Sequence, residues 1–354
     1  MIEGFLSSAI PPRTLSKEKE RFSSEKLVLS WNRQRHFYSR IDDHSKNNGG
    51  IYRPFAEYAW EKLMQSNLVE ERNIPDHLAT NASPTKDPNT FAEVKIHVQS
   101  AIGTPSQSSS IRLGRYALLE TMGKVSKDHD NYDISIDNAI HVLNFVIFPN
   151  HDYPLPLPVL GIDLVTLPGM KHLIAIDFQP IASSSIEVSD TDDGTGIFPS
   201  WTKYKPFEME LERIHEKYVL QHRDVLPWGG DIPPKASRFF SKYALWTRLQ
   251  GEDAIDIIQT HVFEAFQAYF DLYLDMMTFA QCNDAMESNQ DVSSDNVNDA
   301  MSKMDQKILI QNGTIDYLKY RKENDPARPM LTRLYGSEYT EELLSQVLFE
   351  MIEV

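Results

Sequence analysis

Hydrophobic and polar positions alternate through the middle of the chain, which is the pattern of strands that have one buried face. Five such stretches follow one another, at residues 91–103, 110–123, 139–149, 157–169 and 171–180. The last two are predicted to form a hairpin that turns at Pro168 and Gly169. Because no helical pattern separates these strands, they are expected to form an antiparallel sheet.

Apolar positions at helical spacing flank the strands on both sides. Predicted helices cover residues 26–41, 52–69, 207–219, 253–280, 306–323 and 327–352. In the stretch 253–280 the apolar residues recur every three or four positions, which is typical of a helix packed on a large surface. Strands in the middle with helices before and after predict a single α+β domain, in which an antiparallel sheet lies between helical layers.

The domain is expected to span residues 51–354, and two segments differ from it in composition. Residues 1–50 are polar and are predicted to form a flexible N-terminal extension. Residues 281–305 are rich in Asn, Ser and Asp, with six acidic residues against one lysine. This composition predicts an exposed, disordered insertion within the domain.

Charge and composition exclude several classes of protein. The formal net charge is −16 and the sequence pI is about 5.1, so a general binder of nucleic acid or anionic membranes is not expected. The single cysteine, Cys282, leaves no internal disulfide and no thiolate metal cluster. No apolar run reaches the roughly 18 residues of a membrane span, and nucleotide-binding glycine loops and paired-histidine metal motifs are absent from the sequence.

Acidic residues inside apolar strands are the first candidates for chemistry. Alternation places Asp163 on the same strand face as Val159 and Val165. Burial there disfavours the charged form of a carboxyl group, which keeps a proton available for donation near neutral pH. A structural aspartate that accepts hydrogen bonds at a strand end is the alternative, and Asp177 lies in a similar setting. Position alone does not decide between these roles.

Asp325 also has two interpretations. An aspartate directly before a proline, here Pro326, is typical of a helix start, in which the carboxylate caps the first turn. Arg321 lies one helical turn upstream, so a carboxyl group that does chemistry beside a guanidinium is the second interpretation.

Four blocks of the chain resemble, in their order and spacing, the ferredoxin-dependent bilin reductases, which reduce biliverdin or its dihydro derivative to linear tetrapyrrole chromophores. The blocks are VLNFVIFP, LPVLGIDLVTLPG with HLIAIDFQP, LPWGGDIPPKASRFFSKYALWTRL, and YLKYRKENDPARPMLTRLYGSEYTEELLSQVLF. The resemblance implies an α/β/α sandwich that binds bilin between the sheet and the C-terminal helices. It also implies that no metal or organic cofactor is bound, that reduced ferredoxin donates single electrons, and that bilin radicals form.

The resemblance assigns roles to individual residues. Asp163 matches the central sheet aspartate of the family, a proton donor that contacts the pyrrole nitrogens, and Asp325 matches a second aspartate that faces the bilin from the other side. Arg321 matches an arginine of members that reduce the A-ring vinyl system, and would orient a propionate or make Asp325 more acidic. Asn144 stands where the phycocyanobilin-forming members have a histidine, which argues against that activity.

The motifs LVTLPG, HLIAIDFQP, PWGGD and YALWTRL most resemble the branch that reduces the A-ring diene of 15,16-dihydrobiliverdin to phycoerythrobilin. Synthesis of phytochromobilin from biliverdin and a non-catalytic bilin-binding role on the same scaffold are the alternatives. The substrate would be transferred from an upstream bilin reductase or a heme oxygenase. The protein is expected to be a monomer.

An acidic ferredoxin requires a positive surface on an enzyme of this net charge. The region 203–248 supplies cations: Lys203, Lys205, Arg213, Lys217, Arg223, Lys235, Arg238, Lys242 and Arg248. Ordinary scattered surface charge is the alternative, and Arg223 or Arg248 could instead bind bilin propionates. The first 26 residues have no secretory hydrophobic segment, and the family implies the plastid stroma in a photosynthetic eukaryote and the cytoplasm otherwise.

Overall fold

The fold was analysed in a computed structural model, which describes residues 50–84, 92–104, 109–123, 140–150, 157–181, 201–251, 253–287 and 297–351. The predicted N-terminal extension, with its helix at 26–41, lies outside the described residues.

Eight antiparallel strands form one sheet in the described part of the chain. They are β1 (Val69–Arg72), β2 (Thr80–Pro84), β3 (Ala92–Gly103), β4 (Ile111–Gly123), β5 (His141–Pro149), β6 (Val159–Leu167), β7 (Lys171–Gln179) and β8 (Leu245–Gln250). Their order across the sheet is β1-β3-β4-β5-β6-β7-β8, and β2 pairs with β3 as well. The five predicted strands are confirmed, and so is the hairpin, whose turn contains Gly169 at a φ of 84°. Sequence analysis missed β1, β2 and β8.

Strand register determines which polar side chains meet. Asn144 on β5 pairs with Asp163 on β6, which in turn pairs with Ala175 on β7. Because side chains alternate between the faces of a strand, Asn144 and Asp163 share one face while Thr166 lies on the other. We call the face that carries Asn144 and Asp163 the site face, and the other the opposite face.

Helices cover both faces of the sheet. They are α1 (Arg53–Gln65), α2 (Asp76–Ala79), α3 (Trp201–Tyr218), α4 (Pro234–Ser237), α5 (Ala254–Ile257), α6 (Phe263–Glu287), α7 (Val297–Glu323), α8 (Arg328–Tyr335) and α9 (Ser337–Leu343). A π-helical turn joins α5 to α6, and a second, Leu344–Leu348, follows α9.

The two helical layers bury different parts of the sheet. On the site face, apolar residues of β3, β4 and β5 form one core with the C-terminal segments, which contribute Leu318, Leu343 and Val347. On the opposite face, aromatic rings of α6 pack edge to face on the strands, with Phe145 and Phe270 5.5 Å apart between ring centres. Helices on both faces of an antiparallel sheet confirm the predicted α/β/α sandwich.

Two predictions about the C-terminal half need correction. The helix predicted over 327–352 is wrong as a single element, because Gly336, at a φ of 92°, ends α8 before α9 begins. The stretch 281–305, predicted as an irregular insertion, is helical at both ends, since α6 continues to Glu287 and α7 begins at Val297. Good helix formers such as Ala, Met and Gln are interspersed among its polar residues. Residues 288–296 lie outside the described residues.

Within the described helices, none combines the length and apolar character that crossing a membrane requires.

Candidate active site

Asp163 lies on β6, and both oxygens of its carboxylate accept hydrogen bonds. Oδ1 accepts from the side-chain amide of Asn144, and Oδ2 accepts from Nη2 of Arg321 over 3.1 Å. Each oxygen of this side chain therefore faces a hydrogen-bond donor. The Asp163 side chain keeps 27% of its surface exposed, so this carboxylate is open to solvent or to a ligand.

Arg321 reaches Asp163 from the last turn of α7. Burial lowers the pKa of its guanidinium, but Asp163, Tyr317 and Asp325 together raise that pKa by more, so the group is held charged. Its Nε has no hydrogen-bond partner among the described residues. The guanidinium lies 5.7 Å from the ring centre of Phe349, which limits where it can move. Arg321 therefore joins the helical layer to the sheet at the candidate site.

Asp325 follows α7 and lies on the helical side of the same cluster. Burial raises the pKa of its carboxyl group, and the charge of Arg321 and a hydrogen bond from the main chain of Ala327 partly oppose this. That bond, from the Ala327 nitrogen to Oδ1, is 2.7 Å long. Since α8 is assigned from Arg328, Asp325 caps the turn that leads into the helix. The structural and the chemical interpretations of Asp325 are therefore compatible.

Arg115 completes this cluster, and sequence analysis missed it. It lies on the site face of β4 with none of its surface exposed. Its Nη1 donates to the side-chain oxygen of Asn144, and its Nε donates to the carbonyl oxygen of Leu348 over 3.1 Å. The signal was present in the sequence, because alternation places this arginine on the same face as Leu113 and Ala117.

Asp177 is buried on the site face as well, but a different segment holds it. Its carboxylate accepts hydrogen bonds of 2.8 Å from the main-chain nitrogen and 2.5 Å from the hydroxyl of Ser241. Burial raises the pKa of Asp177 to about 7, and the bonds from Ser241 oppose that rise. These contacts attach the segment between α4 and β8 to the sheet, which supports the structural interpretation of Asp177.

Arg223, a predicted propionate ligand, lies apart from this cluster. Its guanidinium packs 5.4 Å from the ring centre of Trp228, and its Nη1 is buried without a hydrogen-bond partner among the described residues. No contact joins Arg223 to Asp163 or Arg321 within the described ranges.

Arg248 lies on the same face as Asp163. Leu173 on β7 pairs with both Val165 on β6 and Arg248 on β8, so Arg248 lies two strands and two residues away from Asp163. This corresponds to about 12 Å between the two main chains. The Arg248 side chain is exposed and packs over Trp246, 5.5 Å from its ring centre.

The cations predicted to bind ferredoxin divide into two groups. On α3, Lys205 pairs with Glu208 over 2.8 Å and Arg213 pairs with Glu210 over 2.5 Å. From the end of α3 onward, five of these exposed cations have no carboxylate partner in the described part of the chain: Lys217, Lys235, Arg238, Lys242 and Arg248. The positive charge that ion pairs leave available to a partner therefore lies at the end of α3 and beyond it. No group of three or more His, Cys, Asp or Glu side chains that could hold a metal ion occurs among the residues described.

Known proteins share this sequence pattern. Residues 131–350 match the family described as ferredoxin-dependent bilin reductase. The chain is 31% identical over 303 residues to the phycoerythrobilin:ferredoxin oxidoreductase of Nostoc punctiforme, which covers 85% of this chain and 93% of that protein. A phycoerythrobilin:ferredoxin oxidoreductase of a Synechococcus species is 40% identical over 219 residues, covering 62% of this chain and 69% of the relative.

A solved structure shares the fold. Phytochromobilin synthase from tomato, in complex with biliverdin, matches with a TM-score of 0.57 and 20% sequence identity, covering 86% of this chain and 85% of that one. The family match includes Asn144, Asp163, Arg321 and Asp325 and extends over more than half of the chain. The chain therefore belongs to the ferredoxin-dependent bilin reductase family.

Proposed function

We propose that this protein reduces the A-ring diene of 15,16-dihydrobiliverdin to phycoerythrobilin with electrons from reduced ferredoxin. Family membership supports ferredoxin-dependent bilin reduction, and the names of the relatives at 31% and 40% identity support this substrate. The observation that carries the proposal is the ion pair between Asp163 and Arg321, with the carboxyl group of Asp325 beside it. Asp163 is partly exposed on the sheet, and Asp325 is buried on the helical side of the proposed site.

The reaction adds two electrons and two protons to the bilin. Two molecules of ferredoxin are oxidised, and the two conjugated double bonds of the A-ring diene become one. Because each ferredoxin delivers one electron, a bilin radical forms between the two transfers. The chain's part in this chemistry is to bind and orient the bilin and to supply protons.

The two carboxyl groups are proposed to donate protons from different surroundings. Burial raises the pKa of Asp325, which favours the protonated form that a donor needs. Asp163 accepts hydrogen bonds from Asn144 and Arg321, and is proposed to contact the pyrrole nitrogens of the bilin and to donate a proton to it. Arg321, which contacts Asp163, would orient the substrate and balance the charge of the radical intermediate.

Arg248 is the better candidate to bind a propionate. It is exposed on the site face, about 12 Å from Asp163 by strand spacing, which is a distance that an extended tetrapyrrole can bridge. Its planar guanidinium can form two parallel hydrogen bonds with one carboxylate. Arg223, which packs against Trp228, has a weaker claim to this role.

Ferredoxin is proposed to bind at the exposed cations Lys235, Arg238 and Lys242. These three have no carboxylate partner among the described residues, so their charge can steer an acidic protein, whereas ion pairs already neutralise Lys205 and Arg213 of α3. We also propose that the protein acts as a monomer and receives its substrate from an upstream bilin reductase or a heme oxygenase. The proposed location is the plastid stroma in a photosynthetic eukaryote and the cytoplasm otherwise.

Reduction of biliverdin to phytochromobilin is the second candidate function. The observation in its favour is the shared fold with a phytochromobilin synthase that was crystallised with biliverdin. Both candidate reactions reduce the same A-ring diene, so the same two carboxyl groups would serve either substrate.

A single-turnover assay tests the proposal. The purified protein is mixed with reduced ferredoxin and either 15,16-dihydrobiliverdin or biliverdin, and the products are separated by chromatography. We expect 15,16-dihydrobiliverdin to be consumed and phycoerythrobilin to form, at a rate that falls as ionic strength rises. Conversion of biliverdin to phytochromobilin would favour the second candidate. A bilin that binds without being consumed would identify a binding protein and refute the proposed reaction.

A further inference from the structure

Behind the candidate site lies a guanidinium that the proposed chemistry does not use. Arg115 is fully buried, and burial lowers its pKa to about 10, so it stays charged near neutral pH. A buried charge is expensive to desolvate, and an apolar residue of similar volume is often at least as stabilising. Moreover, the Nη2 atom of Arg115 has no hydrogen-bond partner among the described residues. Stability alone therefore does not explain an arginine at this position.

The side chain of Asn144 lies between Arg115 and Asp163. A guanidinium can only donate hydrogen bonds, so Arg115 holds the amide oxygen of Asn144 toward itself. The NH2 group of the same amide is thereby directed at Asp163, to which it donates. A further bond of 3.4 Å, from Nη1 of Arg115 to the main-chain carbonyl of Asn144, fixes the two residues against each other.

We propose that Arg115 is a positioning residue that controls the hydrogen bonding of Asp163 through the orientation of the Asn144 amide. With the NH2 group facing it, Asp163 has a donor on each oxygen, which favours the carboxylate. A reversed amide would present its oxygen instead, which would favour the protonated acid. Arg115 thus controls when Asp163 can hold a proton, and the inference rests on the proposed function, in which Asp163 donates one.

Contacts with the C-terminal segment hold Arg115 in this position. Its Nε donates to the carbonyl oxygen of Leu348 over 3.1 Å. The ring of Phe349 lies 5.4 Å from the guanidinium of Arg115 and 5.7 Å from that of Arg321, so one aromatic ring attracts both cations. The titratable groups that act on Arg115 are those of the same cluster: Arg321, Asp163, Tyr317 and Asp325.

A cycle of substitutions tests whether Arg115 acts through Asn144. The variants Arg115→Met, Asn144→Leu and the double substitution are compared with the unaltered protein. Two profiles are measured for each: the pH dependence of single-turnover bilin reduction, and a pH titration of the visible spectrum of bound bilin without ferredoxin. We expect Arg115→Met to move the midpoints of both profiles to higher pH, since the Asn144 amide is then free to turn its NH2 group away from Asp163. In the Asn144→Leu background the same substitution should add no further shift.

Arg112→Met is the matched control. Arg112 is a second arginine of β4, its guanidinium lies 5.2 Å from the ring centre of Phe148, and burial lowers its pKa to about 10. Its removal should leave both midpoints unchanged. If Arg115→Met still shifted the midpoints in the Asn144→Leu background, the charge of Arg115 would act on Asp163 directly, and the inference would be wrong. Unchanged midpoints in a folded Arg115→Met protein would also overturn it.

A second variant covers the case in which Arg115→Met does not fold. The ammonium of Arg115→Lys keeps the charge but lacks the planar fork, so we expect a smaller shift in the same direction, again absent in the Asn144→Leu background. A shift that survives there would refute the inference. If the unaltered protein reduces neither bilin, the proposed function fails, while the spectral titration of bound bilin still tests the role of Arg115.

Discussion

The two faces of the sheet carry polar side chains on the same strands but hold them in different ways. On the site face, charged groups meet: Asp163 accepts from Arg321 over 3.1 Å and remains 27% exposed. On the opposite face of β6, neutral groups meet around Thr166, whose hydroxyl lies 2.9 Å from both the Tyr52 hydroxyl and Nδ1 of His172, and all three residues are buried. An ion pair of that face, between Arg53 of α1 and Glu120, lies at β4 instead. One strand, β6, thus contributes to both a charged and a neutral cluster.

The helices that cover each face account for this difference. The aromatic rings of α6 cover the opposite face with the side of a helix, which excludes water and disfavours charge. Burial there lowers the pKa of His141 to about 4. The site face is covered beside Asp163 by the end of α7 and the turn after it, which bring Arg321 and Asp325. A helix end supplies cations and polar groups that the apolar side of a helix does not.

The largest expected effect comes from removing the carboxyl groups of the site face. We expect Asp163→Asn and Asp325→Asn each to slow single-turnover bilin reduction by about 10²–10⁴-fold, the usual contribution of a positioned proton donor. Bilin binding, followed by the visible spectrum, should persist. Since asparagine also caps helices well, Asp325→Asn should lose turnover and little stability.

Thr166→Val on the opposite face is the control for these two variants. It lies on the same strand as Asp163 and loses two buried hydrogen bonds, so the free energy of unfolding should fall by about 1–3 kcal/mol. Turnover should stay within about twofold of the unaltered protein, given that the site keeps its charged groups. If Thr166→Val slowed turnover as much as Asp163→Asn does, the separation of the two faces would be disproved.

A smaller effect is expected on how stability depends on pH, and Asp177 on the site face is the group to change. Its folded pKa of about 7 lies above the ordinary pKa of an aspartate, 3.8. Between these values the folded protein binds more protons than the unfolded chain, so the unaltered protein loses stability as pH rises from about 4 through 7. The loss is on the order of 4 kcal/mol at most. We expect the free energy of unfolding of Asp177→Asn, measured with urea across this pH range, to lack this loss. If the free energies of the variant and the unaltered protein fell in parallel with rising pH, the prediction would be wrong.

The smallest effect is expected from His141, and it has the opposite sign. Its folded pKa of about 4 lies below the ordinary pKa of a histidine, 6.5, so the unfolded chain binds more protons between these values. The unaltered protein therefore loses stability as pH falls from about 6.5 to about 4, by at most on the order of 3 kcal/mol. In the same urea experiments, the free energy of unfolding of His141→Gln should fall less between about pH 6.5 and 4 than that of the unaltered protein. A variant that steepened it would show that this histidine is not held neutral by burial.

The long strands of the sheet were predictable because each has a long alternating stretch. The short strands and the break between two helices were not predictable. The strands β3 to β7 have nine or more residues each, enough for a period of two to stand out. The strands β1, β2 and β8 have four to six residues and form because β3 and β7 offer edges to pair with. Similarly, the break at Gly336 depends on one main-chain conformation in a stretch that otherwise keeps a helical pattern.

The candidate site was predictable only where a residue carries a local signal. Asp163 stands out as an acid in an apolar strand, and Asp325 stands out beside Pro326. The contact between Asp163 and Arg321 was not visible, because it depends on how the end of α7 meets the sheet. Arg223 shows the reverse: it looked equivalent to Arg248 in the sequence but packs against Trp228, away from the charged cluster.

The bond between Arg115 and the carbonyl oxygen of Leu348 has a consequence for the synthesis of this protein. The ribosome makes every strand of the described sheet well before it reaches Leu348 and Phe349, and domains begin to fold as they emerge. A nascent chain can therefore hold the complete sheet while Arg115 still lacks its C-terminal partners. The carboxylate on β6 acquires its final surroundings only when the last helical turn docks, so the capacity for reduction follows translation of that turn.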